Sequence, residues 1–89
     1  MDTLFDYSRL KDLIETTQYL DTKDNKIKTY NKTTFARAIG LSYYSLYKKL
    51  RNIVPFTQNE IIKTVKILNI NQNEIPTYFF TEKVKKTQL

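Results

Sequence analysis

The only glycine in the chain, Gly40, directly follows a short apolar helical stripe that ends at Ile39. A glycine in this position readily adopts the left-handed backbone conformation with which many helices end. Two residues later, Ser42 can cap the start of a second helix. We therefore expect two short helices, over residues 32–39 and about 43–52, that are joined by a sharp turn.

The second of these predicted helices has little apolar surface. Leu46 and Leu50, four residues apart, form the stripe that can face a core. A helix that is fixed by two leucines and presents hydrogen-bond donors and cations is typical of one that enters the major groove of DNA. The alternative is partial packing of the tyrosines in the core, above all of Tyr47. The candidate groove residues are Tyr43, Tyr44, Tyr47, Lys48 and Arg51.

This pair of segments resembles the helix-turn-helix of the lambda-repressor and Cro-like family. The family pattern has a small residue at its fifth position, glycine at its ninth and a branched apolar residue at its fifteenth, and here these are Ala36, Gly40 and Leu46. The segments that are also similar to small Cro-like proteins from phages of Gram-positive bacteria are 5–10, 54–61 and 75–84. The resemblance implies a homodimeric repressor that occupies an operator in double-stranded DNA.

The resemblance also implies roles for individual residues. In the family, the residue at the position of Lys32 contacts a backbone phosphate, and loop residues at the position of Asn52 do so in similar proteins. The alternative for Lys32 is a solvated side chain without a DNA contact, and the alternative for Asn52 is a helix cap. The predicted DNA-binding residues are Lys32, Thr33, Ser42, Tyr43, Tyr44, Tyr47, Lys48, Arg51 and Asn52.

Positive charge is concentrated in the middle of the chain. The net charge is +6, and residues 23–51 contain eight bases against one acid, Asp24. A basic region on an otherwise balanced domain is the electrostatic pattern of a protein that binds a polyanion. A solvated, lysine-rich surface would give the same count, but the overlap with the predicted helix pair favours nucleic acid.

The composition argues against several other classes of protein. There are no cysteines and no histidines, so the sequence has no disulfide framework, no thiolate metal site and no imidazole base. The acids are scattered and no glycine-rich phosphate loop is present, which argues against an enzyme, a cofactor and a metal. No apolar run approaches the roughly 20 residues that span a bilayer, and the acidic N-terminus does not resemble a signal peptide. We expect a cytoplasmic protein of a bacterial host cell, without membrane contact.

The remaining helical signals complete a predicted all-α domain of about five helices over residues 1–84. Asp6 can cap a first helix that runs to about Tyr19. Thr57 and Glu60 form a capping box that opens a fourth helix, and a short fifth helix follows. One domain is what a chain of 89 residues can support.

Two segments lack a helical period. Residues 18–30 are polar and turn-prone, and they either pair as a small hairpin or form a loop that is inserted relative to the family. Residues 78–84 are aromatic and β-prone, so they can form a short C-terminal strand. The tail, 85–89, is expected to be disordered.

Two roles are open for the C-terminal aromatic segment. It can cover the core, or it can form a homodimer interface, because one helix-turn-helix contacts few base pairs and specificity needs two copies. Neighbouring residues of a strand point to opposite sides, so Phe79 and Phe80 can divide between the two roles. The predicted interface residues are Tyr78, Phe79, Phe80, Thr81, Glu82, Lys83 and Val84.

Two other functions fit the same tyrosine-rich helix. One is a protein-binding module, such as an antirepressor or an inhibitor of a host protein, because tyrosine and arginine are frequent at protein–protein hot spots. The other is a binder of RNA or single-stranded DNA that stacks bases on the tyrosine rings. Salt-dependent binding to one duplex would favour the DNA regulator, and tight binding to a protein in high salt would favour the first alternative.

Overall fold

A β-hairpin follows the first helix of a mainly helical fold. The computed structural model describes residues 4–83, and within this range no helix is both long and apolar enough to cross a membrane. The elements in chain order are α1 (Ser8–Thr16), β1 (Gln18–Asp21), β2 (Lys26–Thr29), α2 (Lys32–Ala38), α3 (Tyr43–Leu50), α4 (Gln58–Leu68), a 3-10 turn (Gln72–Glu74) and α5 (Ile75–Phe79).

The two strands pair antiparallel, with Gln18 opposite Thr29 and Asp21 opposite Lys26. The fold is therefore α+β, and the prediction of an all-α domain is wrong. Of the two predictions for residues 18–30, the hairpin is the one that the structure contains.

Local polar contacts close the turn of the hairpin. Asn25 has a left-handed backbone with φ 55°, which asparagine tolerates better than most residues. The ammonium of Lys28 lies 2.7 Å from the carboxylate of Asp21 and 3.0 Å from that of Asp24. Asp21 also accepts the backbone N–H of Lys23 at 3.0 Å. These contacts stabilise the turn between β1 and β2.

Aromatic contacts hold the hairpin on α2. The rings of Tyr19 and Tyr30 stack with centroids 4.3 Å apart, and the Tyr30 ring meets that of Phe35 edge-on at 6.1 Å. The backbone N–H of Tyr30 donates to the carbonyl of Thr17 at 2.9 Å. Because Phe35 is a fully buried residue of α2, these rings connect the base of the hairpin to the core.

The predicted capping box of Thr57 and Glu60 opens α4, whereas the predicted Asp6 cap of α1 does not form. Tyr7 holds the N-cap position of α1 without a side-chain cap, and Asp6, one residue earlier, accepts the backbone N–H of Ser8 at 2.9 Å. α1 ends at Thr16, short of the predicted Tyr19, because the backbone becomes extended at the next residue and leads into β1.

One hydrophobic core contains side chains from all five helices of the described chain. Ala36 of α2 is fully buried, and its small side chain lets α2 and α3 approach closely. Both leucines of the α3 stripe are buried as the sequence predicts. The buried apolar residues are Tyr7, Leu10, Ile14, Phe35, Ala36, Ile39, Leu46, Leu50, Leu68, Ile70 and Phe79.

The C-terminal segment begins in a helix where the sequence predicts a strand. Tyr78 and Phe79 lie in α5, which has Pro76 in its first turn, a position that tolerates the missing N–H of proline. An isolated antiparallel bridge follows, between Phe5 and Glu82. The predicted strand therefore shortens to this single bridge within the described residues.

Candidate nucleic-acid interface

The turn between α2 and α3 depends on the backbone conformation of Gly40. Its φ is 81°, which residues with a Cβ rarely adopt. Its N–H donates to the carbonyl of Arg37 at 3.1 Å, and the N–H of Leu41 donates to that of Ala36 at 2.8 Å, which is a Schellman motif. A Cβ added at Gly40 would approach the ammonium of Lys63 to 3.8 Å, an ordinary contact. The requirement for glycine is therefore conformational.

Each helix of this pair begins with a side-chain cap. Asn31 accepts the N–H of Thr34 at 2.8 Å, and the hydroxyl oxygen of Ser42 accepts the N–H of Ser45 at 3.1 Å. Ser42, a predicted DNA-binding residue, thus has a structural task at the start of α3. The predicted phosphate-contacting residues, Lys32 and Thr33, occupy the first turn of α2.

An ion pair holds the inner face of α3 in addition to its two leucines. Lys49 is 7% exposed, and its ammonium lies 2.9 Å from a carboxylate oxygen of Glu60 on α4. The same ammonium donates to the carbonyl of Pro55 at 2.9 Å. The sequence contains a signal for this position, because Lys49 falls three residues after Leu46 and one before Leu50, on the stripe that faces the core.

Glu60 is stabilised in its charged form by this arrangement. Burial by itself would raise the pKa of the carboxyl, but the backbone N–H of Thr57 and the ammonium of Lys49 outweigh burial and hold the pKa below its ordinary value. Lys49 is therefore engaged with α4. Lys28 is likewise engaged with its own hairpin, so fewer than eight bases of the region are available to a polyanion.

The outer face of α3 carries two stacked tyrosines with a cation near each ring. The rings of Tyr44 and Tyr47 are 12° from parallel, with centroids 6.3 Å apart. The Lys48 ammonium lies 5.0 Å from the Tyr44 centroid, and the Arg51 guanidinium lies 5.4 Å from the Tyr47 centroid. Tyr44 is 65% exposed and Tyr47 is 39% exposed. We call these four residues the aromatic–cation face.

A cleft of about 170 Å³ lies beside the aromatic–cation face, where α1, α2 and α3 meet. Lys11 of α1 lines it and was not among the predicted site residues. Spacing could not have identified this residue, because the hairpin separates α1 from α2 in the chain. The lining residues are Lys11, Lys32, Tyr43, Tyr47, Leu50 and Arg51.

Lys32 has an acidic neighbour at the edge of this cleft. Its ammonium lies 3.5 Å from the carboxylate of Glu15 on α1, and the two side chains are 35% and 50% exposed. Solvent screens such a pair, so it is worth at most about 1 kcal/mol. Lys32 can therefore exchange this partner for another anion at small cost.

Asn52 lies outside both the aromatic–cation face and the cleft lining. It has a left-handed backbone with φ 63°. Its side-chain oxygen accepts the N–H of Phe5 at 2.9 Å, and its side-chain nitrogen donates to the carbonyl of Phe5 at 2.9 Å. The amide thus ties the N-terminal segment to the end of α3.

The predicted dimer-interface residues divide into buried and exposed ones. Phe79 is 1% exposed and belongs to the core, whereas Phe80 is 49% exposed and meets the Phe5 ring edge-on at 5.8 Å. Tyr78 is half-buried, and the next three residues, Thr81, Glu82 and Lys83, are exposed. Val84 and the tail 85–89 lie outside the described residues.

A protein-family model described as "Protein of unknown function (DUF739)" matches residues 3–82, and the chain belongs to this family. Among curated proteins, none matches the chain. The family description assigns no activity, so a function has to be inferred from the geometry of α3 and its surroundings.

Proposed function

We propose that the chain is a sequence-specific regulator that binds double-stranded DNA through α2 and α3, in the manner of Cro-like phage repressors. The observation that carries this proposal is the aromatic–cation face of α3. Its tyrosine rings and cations stand on one side of a short helix. Buried leucines and the ion pair between Lys49 and Glu60 fix the opposite side.

The size and chemistry of α3 suit the major groove. An α-helix with its side chains is roughly 10–12 Å across, comparable to the width of that groove. The rings of Tyr44 and Tyr47 can pack on thymine methyl groups, and Arg51 can donate two hydrogen bonds to guanine or to a phosphate. Stacking and cation–π contacts restrict these side chains before binding, which reduces the conformational entropy lost on binding.

Neighbouring residues supply contacts to the DNA backbone in this proposal. Lys32 and Thr33 start α2, Tyr43 follows the cap of α3, and such contacts set the register of a protein on the duplex. Because one module contacts few base pairs, we propose a homodimer that reads half-sites about 34 Å apart, with Phe80 at its interface. Acting in the cytoplasm of a bacterial host, this dimer would repress transcription by occupying its operator.

Selection of bound sites from a random duplex library, followed by titration of the selected duplex, tests the proposal. We expect one enriched sequence that binds at least about 10³-fold more tightly than random DNA. Its affinity should fall steeply with salt, and single strands should compete weakly. The proposal would be overturned if no sequence is enriched and single strands compete as well as duplexes do.

A protein-binding module is the second candidate, and the exposure of three tyrosines on one helix favours it. Tyr43, Tyr44 and Tyr47 are 50%, 65% and 39% exposed, respectively. Exposed tyrosines beside an arginine are also typical of protein hot spots. A protein partner that binds α3 tightly in high salt, with no selection of any duplex, would replace the first proposal with this one.

A further inference from the structure

The cleft between α1, α2 and α3 brings together three cationic side chains from separate parts of the chain. Lys11 comes from α1, Lys32 from the first turn of α2 and Arg51 from the residue after α3. Tyr43 and Tyr47 line the same cleft, and their hydroxyl groups can donate hydrogen bonds. A cleft lined by three cationic residues and two tyrosines has the chemistry of a site for a phosphate group.

The charge balance at this cleft also favours an anion. Lys11 and Arg51 form no ion pair within residues 4–83, whereas Lys32 has the weak contact with Glu15. Cations that line one cleft repel each other, and a bound anion relieves this repulsion. Arg51 and Tyr47 belong both to the cleft and to the aromatic–cation face, so an anion in the cleft would lie next to the surface proposed to read bases.

We infer that the cleft binds one phosphate of the nucleic-acid backbone, and that Lys11 is a phosphate-contacting residue. The inference rests on the proposed DNA binding and adds a contact from α1 to it. It also assigns Arg51 to the backbone, because a guanidinium can bind two phosphate oxygens at once. With α1 and α2 both touching the backbone, the orientation of α3 in the groove would be fixed from two helices.

Titration of the selected duplex with Lys11→Gln at several salt concentrations tests this inference. Lys66→Gln is the matched control, because Lys66 is an exposed lysine of α4 that does not line the cleft. Loss of one phosphate contact should make the plot of log affinity against log salt shallower by roughly 0.9. The affinity of the variant should therefore fall roughly eightfold less than that of the wild type for each tenfold rise in salt. The control should leave the slope at the wild-type value, and Lys11→Arg should restore it.

A second variant tests the acidic neighbour. Glu15→Gln removes the carboxylate beside Lys32, so binding to the duplex should strengthen at low salt. Glu74→Gln, which removes an exposed carboxylate from the 3-10 turn, is its control and should change the affinity less. A Glu15→Gln variant that binds more weakly than wild type would count against an anion at this cleft.

Inorganic phosphate distinguishes a backbone phosphate from a free anion as the ligand. In NMR titrations, phosphate alone should shift the signals of the cleft residues only at millimolar concentration. Two results together would identify a free anion as the ligand and overturn the inference. Micromolar phosphate would saturate the cleft, and the Lys11→Gln variant would bind the duplex as tightly as the wild type does.

The two proposals can fail separately. Equal salt slopes for Lys11→Gln and Lys66→Gln, with the wild type selecting a duplex, would overturn the role of Lys11 alone. A wild-type protein that binds no duplex would overturn the proposed function and this inference with it.

Discussion

Replacement of Lys49 by methionine should destabilise the fold strongly, although the substitution keeps the apolar stem of the side chain. In the wild type, the ammonium contacts the Glu60 carboxylate and the Pro55 carbonyl, both at 2.9 Å. Lys49→Met leaves the Glu60 carboxylate without its cation. The side chains of this pair are 8% and 14% exposed, so water compensates little for the lost partner.

The expected loss of unfolding free energy is about 3 kcal/mol. Removing one partner from a buried ion pair costs roughly 3–5 kcal/mol, and the partial exposure of Glu60 places this case at the lower end. Capping of α4 persists, because Glu60 still accepts the backbone N–H of Thr57. For a domain of this size, 3 kcal/mol corresponds to a fall in Tm of roughly 12–24 °C.

Urea unfolding followed by circular dichroism measures this loss. Lys48→Met, at the neighbouring position, is the matched control. The ammonium of Lys48 lies over the exposed Tyr44 ring, so its removal should lower the unfolding free energy by less than about 1 kcal/mol. The double variant Lys49→Met with Glu60→Gln should be more stable than Lys49→Met alone, since it buries no unpaired charge. A loss below about 1 kcal/mol for Lys49→Met would show that the pair is solvated and refute the reasoning.

Changes at other positions separate the roles assigned above. Tyr44→Ala should weaken binding to the preferred duplex by about 1–3 kcal/mol and to random DNA by less, as measured by titration. Phe80→Ser should yield a folded monomer in sedimentation. Phe79→Ala should instead lower the unfolding free energy by about 3–5 kcal/mol in urea unfolding, because Phe79 fills the core. Acidification to about pH 3 should lower the unfolding free energy, since the pKa of Glu60 is depressed by folding. A carboxyl whose pKa is lower in the folded state contributes to the unfolding free energy above its unfolded pKa, about 4.3. This contribution is lost as the pH falls through the folded pKa.

Each of these expectations has an outcome that contradicts it. Equal losses on preferred and random duplexes would mean that Tyr44 only packs on its neighbours. If Phe80→Ser and the wild type sediment alike, the assembly does not depend on Phe80. For the acid effect, Glu60→Gln is the control: its unfolding free energy should vary less between about pH 6 and pH 3 than that of the wild type. An equal variation would assign the effect to other carboxyls.

The helix pair around Gly40 could be predicted because its signals are local. The glycine turn is closed by hydrogen bonds from Leu41 to Ala36 and from Gly40 to Arg37, within six consecutive residues. The cap of Ser42 likewise acts on a backbone N–H three residues away. Interactions of this range can be inferred from spacing alone, because the chain brings the partners together whatever the rest of the fold does.

The hairpin was one of two predictions, and tertiary packing decided between them. Its turn signals are local, at Asp24 and Asn25, but two exposed four-residue strands have little stability by themselves. The contact that holds them on the domain runs from Tyr19 through Tyr30 to Phe35 of α2. Sequence spacing does not show that these three rings meet, so the all-α prediction failed here.

The sequence by itself thus determined where α2, α3 and α4 begin, the charge pattern and the tyrosine-rich helix. Only the tertiary structure decided which polar residues are free to act. The amide of Asn52 meets Phe5 across 47 positions of the chain, and the cleft of Lys11, Lys32 and Arg51 requires three helices to converge. Such contacts depend on the packing angles of α1, α2 and α3, which are set by the summed shapes of many core side chains. No single spacing in the sequence encodes those angles.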